Sequence, residues 1–171
     1  MQMIIRGLVH ADTPTEALTD AKHEIFLPLV HRGTFDAYAT FDASGTRVAD
    51  PEAGTYPVVA RADSLAGQTL VDEGWDATVD AYETSFEKVQ DFLANQEVSD
   101  FWTDGAVHHQ YHKIGEYEGP RTYLYDEAGQ GIRDHDHLDL IFDSYEALVD
   151  EGLANPYRDR DLYVVPAAVE Y

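Results

Sequence analysis

The chain has 171 residues, enough to build one core without metal or disulfide staples. It contains no cysteine, which excludes thiol nucleophiles, disulfides, zinc–thiolate sites and iron–sulfur clusters. Thirty-three acidic residues against eleven basic ones give a formal net charge of −22, which disfavours nucleic acid as a partner.

Such a charge repels itself in dilute buffer. At about 1 M salt the Debye length falls to about 3 Å and most of that repulsion is screened. The composition therefore resembles that of proteins from salt-in halophiles, and a high-salt cytoplasm is the expected setting. No stretch reaches the roughly 18 consecutive apolar residues of a membrane span. The opening "MQMIIRGLVHAD" has neither the basic start nor the long apolar core of a secretory leader, so no membrane association is expected.

In chain order, "MIIRGLV" at residues 3 to 9 is a near-continuous apolar run and predicts a buried strand. "TPTE" follows, with Thr13 as N-cap, Pro14 at the first helical position and Glu16 completing a capping box. Leu18, Ala21, Ile25 and Leu29 recur at helical spacing, Pro28 should kink or end the helix, and Gly33 marks its latest stop. "TFDAYATFD" alternates, with Phe35, Ala37, Ala39 and Phe41 on one face, and "TYPVVARAD" is its expected antiparallel partner. Trp75, Val79, Tyr82, Phe86, Val89 and Leu93 form one apolar stripe on a long helix, expected to cover the sheet. The second half reads as a meander through residues 107 to 117, "RTYLYD" and residues 132 to 142, with turns at "YEGPR" and "DEAGQG". A short helix capped by Ser144 and a last strand, "DLYVVPAAVEY", complete the chain.

These elements predict a single α+β domain over residues 1 to 171: an antiparallel sheet with helices packed on one face. Residues 1 to 98 would form a ferredoxin-like β-α-β-β-α unit, extended over residues 107 to 171 by the β-meander, the short helix and the final strand.

Two histidine-rich stretches carry the candidate chemistry. In "VHHQYH", a strand would set His108 and His112 about 13 Å apart. A helix ending near Gly115 would bring them within about 5–6 Å, close enough for one metal. The extended reading is preferred for its aromatic pattern, and the helical one stays open. In "RDHDHL", a strand would put His135 and His137 on one face about 6–7 Å apart, a workable metal pair, with Asp134 and Asp136 on the other.

With tight turns between the strands, His109, Tyr111, Tyr123, Tyr125, His135 and His137 share a face as a small-molecule pocket. His135, His137 and His109 would be its metal ligands, and Zn, Mn, Fe or Ni the divalent candidates. The opposite face gathers the alternative metal set His108, His112, Asp134 and Asp136. A solvated structural sheet face competes with both, because aspartate is ordinary decoration in so acidic a chain. His10, at the exit of the first strand, stands where ligands often bind, though a lone histidine there usually does nothing. Two functional readings follow. One is a small-molecule or metal-binding protein with a histidine as ligand or general base. The other is a non-catalytic structural or interaction protein acting as a sheet-mediated homodimer.

Overall fold

A computed structural model describes residues 2–41, 56–97, 99, 122–143 and 160–171. The chain divides into two compact units, Met1–Ala77 with Thr122–Tyr171, and Thr78–Arg121. The architecture is α+β, built on a five-stranded, mostly antiparallel sheet. Among the described residues no helix is long and apolar enough to cross a membrane.

In the first unit, β1 (Gln2–Ala11) pairs antiparallel with β5 (Asp161–Glu170) along its whole length, from Gln2↔Glu170 to Ala11↔Asp161. β2 (Ala37–Thr40) and β3 (Ala60–Arg61) both pair with the other side of β5. β4 (Leu124–Tyr125) lies parallel to β1, so the strand order is β2-β5-β1-β4. The sequence-based expectation of β2 and β3 as mutual partners, in a ferredoxin-like unit, is not what forms: the last strand inserts next to the first, and both pair with it instead. Pro166 sits inside this central strand without cost. Leu162 and Glu170 accept from Ala62 and Asp36 through their carbonyl oxygens, so even-numbered residues of β5 direct their backbone toward β2 and β3. Those ladders cover 167–170 and 163–164, and the missing N–H of Pro166 falls in the gap between them.

The helices divide between both faces of the sheet, where one covered face was expected. On one face, Met3, Ile5, Val9 and Ala11 with Tyr163, Val165 and Val169 pack under α1 (Pro14–Asp20) and its continuation. That continuation is a π-helical turn, Ala21–Phe26, and α2 (Leu27–His31). Thr13 caps α1 as expected, accepting the Glu16 N–H at 3.1 Å. Pro28 does not end the helix. The wider turn before it carries i→i−5 bonding, with the Leu27 N–H on the Lys22 carbonyl, so the helix continues past the missing donor to a C′ glycine, Gly33, at φ 74°.

On the other face, Leu8, Leu124, Val164 and Ala60 pack with Leu70 and Val71 of α3 (Leu65–Ala94) and with Leu138 and Ile141 of α4 (His135–Phe142). α3 approaches so closely that a Cβ on Gly74 would stand 2.8 Å from Leu124 Cδ2 and 3.0 Å from Arg6 Cδ. Arg6, on this face in the middle of β1, is 4% exposed. Its Nη1 donates to the Ile4 carbonyl at 2.6 Å and its Nη2 to Glu73 Oε2 at 3.1 Å. Burial pulls its guanidinium below the ordinary value, while Tyr56 and Glu73 oppose that shift.

Of the expected stripe on α3, only Trp75 packs on this core, half-buried; the sheet is covered by Leu70 and Val71 just before it. In the second unit, α3 runs on to Ala94, with Val79, Tyr82 and Val89 half-buried and Phe86 and Leu93 exposed.

The meander is also revised. Residues 135–142, expected as a strand, form α4, because Asp134 adopts an extended N-cap conformation and its Oδ1 accepts the His137 N–H at 2.7 Å. Residues 123–125 join β1 as a parallel neighbour, and the expected hairpin across the turn at 126–131 is reduced to one antiparallel bridge, Tyr125↔Gly131, with the Ile132 N–H on the Leu124 carbonyl at 2.9 Å. Residues 107–117 and the Ser144 helix lie outside the described residues.

Candidate functional site

β1 and β4 run parallel, and the turn that follows β4 meets the start of α4, where Asp126 Oδ2 lies 3.1 Å from His137 Nε2. β4 is short, and a tight turn follows it at once. Asp126 organises this turn: its Oδ1 accepts the N–H groups of Ala128 at 3.0 Å and Gln130 at 2.8 Å. Gly129 supplies the positive φ of 68° that the turn requires, and Arg32 holds its carbonyl from the end of α2 at 3.0 Å. The turn therefore presents two consecutive carboxylates at the strand ends.

Each takes one histidine. The Arg6 N–H bonds back to the Tyr123 carbonyl on the β4 side, and two residue pairs further along β4 has ended. There the Glu127 carboxylate takes over: its Oε1 accepts the His10 backbone N–H and meets the His10 ring Nδ1, both at 2.5 Å. The His10 side chain is 9% exposed. Asp126 uses its remaining oxygen, Oδ2, on His137 Nε2 at 3.1 Å. Carboxylates on the ring N–H fix each tautomer and steady an imidazolium when one forms.

These groups, with Leu8, Ala128, Leu140 and Ile141, line a cavity of about 300 Å³. His10 and Ile141 also border a larger cleft of about 760 Å³, whose wall carries Asp63, Asp72, Asp139, Asp143 and Asp161. The cleft's two arginines are engaged by carboxylates. Arg61 binds Asp63 at 3.0 Å and Asp161 at 2.8 Å, and Arg160 reaches Asp12 and Glu16 at 3.6 and 3.3 Å. The hydrogen bond from Arg61 holds the Asp63 carboxyl below its ordinary range.

The structure breaks up the residue set expected from sequence. Tyr125 is buried on the α1 face, edge-on to Phe35 with ring centroids 6.1 Å apart. Tyr123 packs on the same face, its phenol pushed up mainly by burial and then by Tyr171. His135 and His137 belong to α4, on the opposite face, so the sheet stands between these tyrosines and these histidines. On a helix, residues two apart point in nearly opposite directions, so the same-face metal pair of His135 and His137 does not form. His135 lies against Trp75, with ring centroids 4.3 Å apart, while His137 turns to Asp126. In the alternative metal set, Asp134 is the helix cap and Asp136 an exposed first-turn residue. His108, His109, Tyr111 and His112 lie outside the described residues. Among the described residues no group of three or more His, Asp or Glu is placed to hold a metal ion.

Two members of this constellation escaped the sequence reading. Asp126 and Glu127 fall within an expected turn, and nothing local distinguishes them among thirty-three acids. His10 was visible at the strand end, but its partner lies 117 positions away.

No curated protein and no solved structure matches the chain. A family model described as "Domain of unknown function (DUF7995)" matches residues 1–171, and the chain belongs to that family.

Proposed function

We propose that this protein binds a small, uncharged or cationic metabolite in the cleft at the carboxyl ends of β1 and β4, with His10 and His137 as the side chains that meet it. The observation that carries this reading is the pair of imidazoles, each backed by one of two consecutive carboxylates, lining the same cavity. The apolar remainder of that cavity gives a ligand something to bury, and the few convergent polar groups give it an orientation. The acidic wall of the larger cleft, with its arginines occupied, speaks against an anionic ligand. The net charge of −22 supports a working environment of molar salt, a high-salt cytoplasm.

The small-molecule form is favoured over the metal form, since His10 and His137 meet separate carboxylates and His135 lies against Trp75. The homodimer reading draws less support: the two long strands are interior, and the described sheet edges are the four-residue β2 and the two-residue β3 on one side and the two-residue β4 on the other.

The test is an NMR titration of histidine-labelled protein in molar KCl with dihydroxyacetone, ethanolamine and citrate in turn. The His10 and His137 ring signals should shift with the first two and stay fixed with citrate. Rings unmoved by all three, or moved by citrate alone, contradict the reading.

A further inference from the structure

The two dyads engage different ring nitrogens. Glu127 occupies Nδ1 of His10, so that ring keeps its proton there and offers the Nε2 lone pair. Asp126 occupies Nε2 of His137, so Nδ1 is the nitrogen left to exchange a proton. We propose that His10 and His137 are a general acid–base pair of opposite tautomers that shifts a proton within one small, uncharged carbonyl substrate; this deepens, and rests on, the reading of the cleft given above.

The chemistry of the lining narrows the reaction. Leu8, Ala128, Leu140 and Ile141 complete the small cavity beside the two dyads. Among its described residues there is no hydroxyl, thiol or amine to act as a covalent nucleophile, and no arginine or lysine to hold a phosphate or carboxylate. Two oriented imidazoles remain, and what they do well is take and give protons. A cavity of about 300 Å³ is at the small end for ligand sites and suits a substrate of few heavy atoms.

In the forward step the Nε2 lone pair of neutral His10 takes a proton from the carbon beside the carbonyl. The C–H electron pair becomes the carbon–carbon double bond of an enol. The carbonyl π pair moves onto oxygen, which takes the Nδ1 proton of His137 in its imidazolium form. His10 ends as an imidazolium against Glu127 and His137 ends neutral. The reverse step, with the ring roles exchanged, returns the proton to carbon. No oxidant, reductant or co-reactant is consumed.

The experiment is solvent-deuterium exchange. The folded protein in molar KCl prepared in D2O is incubated separately with dihydroxyacetone, hydroxyacetone and glyceraldehyde, and proton NMR follows loss of the C–H signal beside the carbonyl. At least one of the three should exchange about a hundredfold faster than with an equal concentration of free imidazole, the scale of general acid–base catalysis. That acceleration should disappear in His137→Gln, whose side chain is partly exposed and whose fold is checked by circular dichroism. It should also fall in Glu127→Gln and persist in His23→Gln, which removes an exposed ring elsewhere. Exchange no faster than free imidazole for all three compounds overturns the proposal, as does full exchange in folded His137→Gln. Ring shifts on titration without any exchange would refute the acid–base pair and leave the binding cleft standing.

Discussion

Replacing Glu127 by alanine removes the single oxygen that serves both the backbone N–H and the ring Nδ1 of His10. Leaving a buried donor without an acceptor costs about 1–3 kcal/mol, and two donors are affected. The Glu127 side chain is 39% exposed, so water reaches its place and the low end applies, about 2 kcal/mol in total. For a chain of this length that corresponds to a melting point roughly 4–8 °C lower. Glu127→Gln keeps an acceptor oxygen and loses only the charge assistance, so it should cost about half as much. The assay is thermal unfolding by circular dichroism in molar KCl near neutral pH, with Glu83→Ala, an exposed carboxylate on α3, as the unaffected control. If Glu127→Ala melts with the wild type, or Gln costs as much as Ala, Glu127 does not extend the β1 ladder as described.

Three further outcomes follow from the fold and the charge. Gly67→Ala would place a Cβ 1.9 Å from the Arg61 carbonyl oxygen, a backbone atom that cannot swing aside. Even after the gain in helix propensity of about 1 kcal/mol, urea unfolding should show a loss of roughly 2 kcal/mol. The unfolding midpoint should climb steeply as KCl rises from dilute to molar, and a flat response would discard the halophile assignment. Asp63 has its carboxyl lowered from the usual 3.8, so the stability it adds is present above that value and lost as pH falls through the lowered one. Acid unfolding of Asp63→Asn against wild type should therefore differ above this window and converge below it.

Much of the fold was legible in the sequence because it rests on local signals. The Thr13 cap, the Leu18–Leu29 stripe and the existence of α3 all express short-range physics, though the apolar stripe begins at Trp75 and did not mark the start of α3 at Leu65. The near-continuous apolar run of residues 3 to 9 also carried a hint that one covered face could not explain. Strands buried on both sides lose their alternation, and β1 is buried on both sides. What local pattern could not reveal is that β5, last in sequence, lies beside β1, since pairing over that distance leaves no mark on either segment. α4 was misread because Leu138, Leu140 and Phe142 satisfy a two-residue period as well as a helical one; Asp134 as N-cap decides between them. The site failed to show for a related reason. Its carboxylates are consecutive acids in an acid-rich chain, and each finds its histidine only after folding.

The most direct measurement is the nitrogen-15 NMR of the His10 and His137 rings in wild type, Glu127→Gln and Asp126→Asn. Neutral His10 should carry its proton on Nδ1 and neutral His137 on Nε2, with Glu127→Gln moving the His10 signals and Asp126→Asn those of His137. Two rings of the same tautomer, indifferent to both substitutions, would contradict the paired-imidazole cleft.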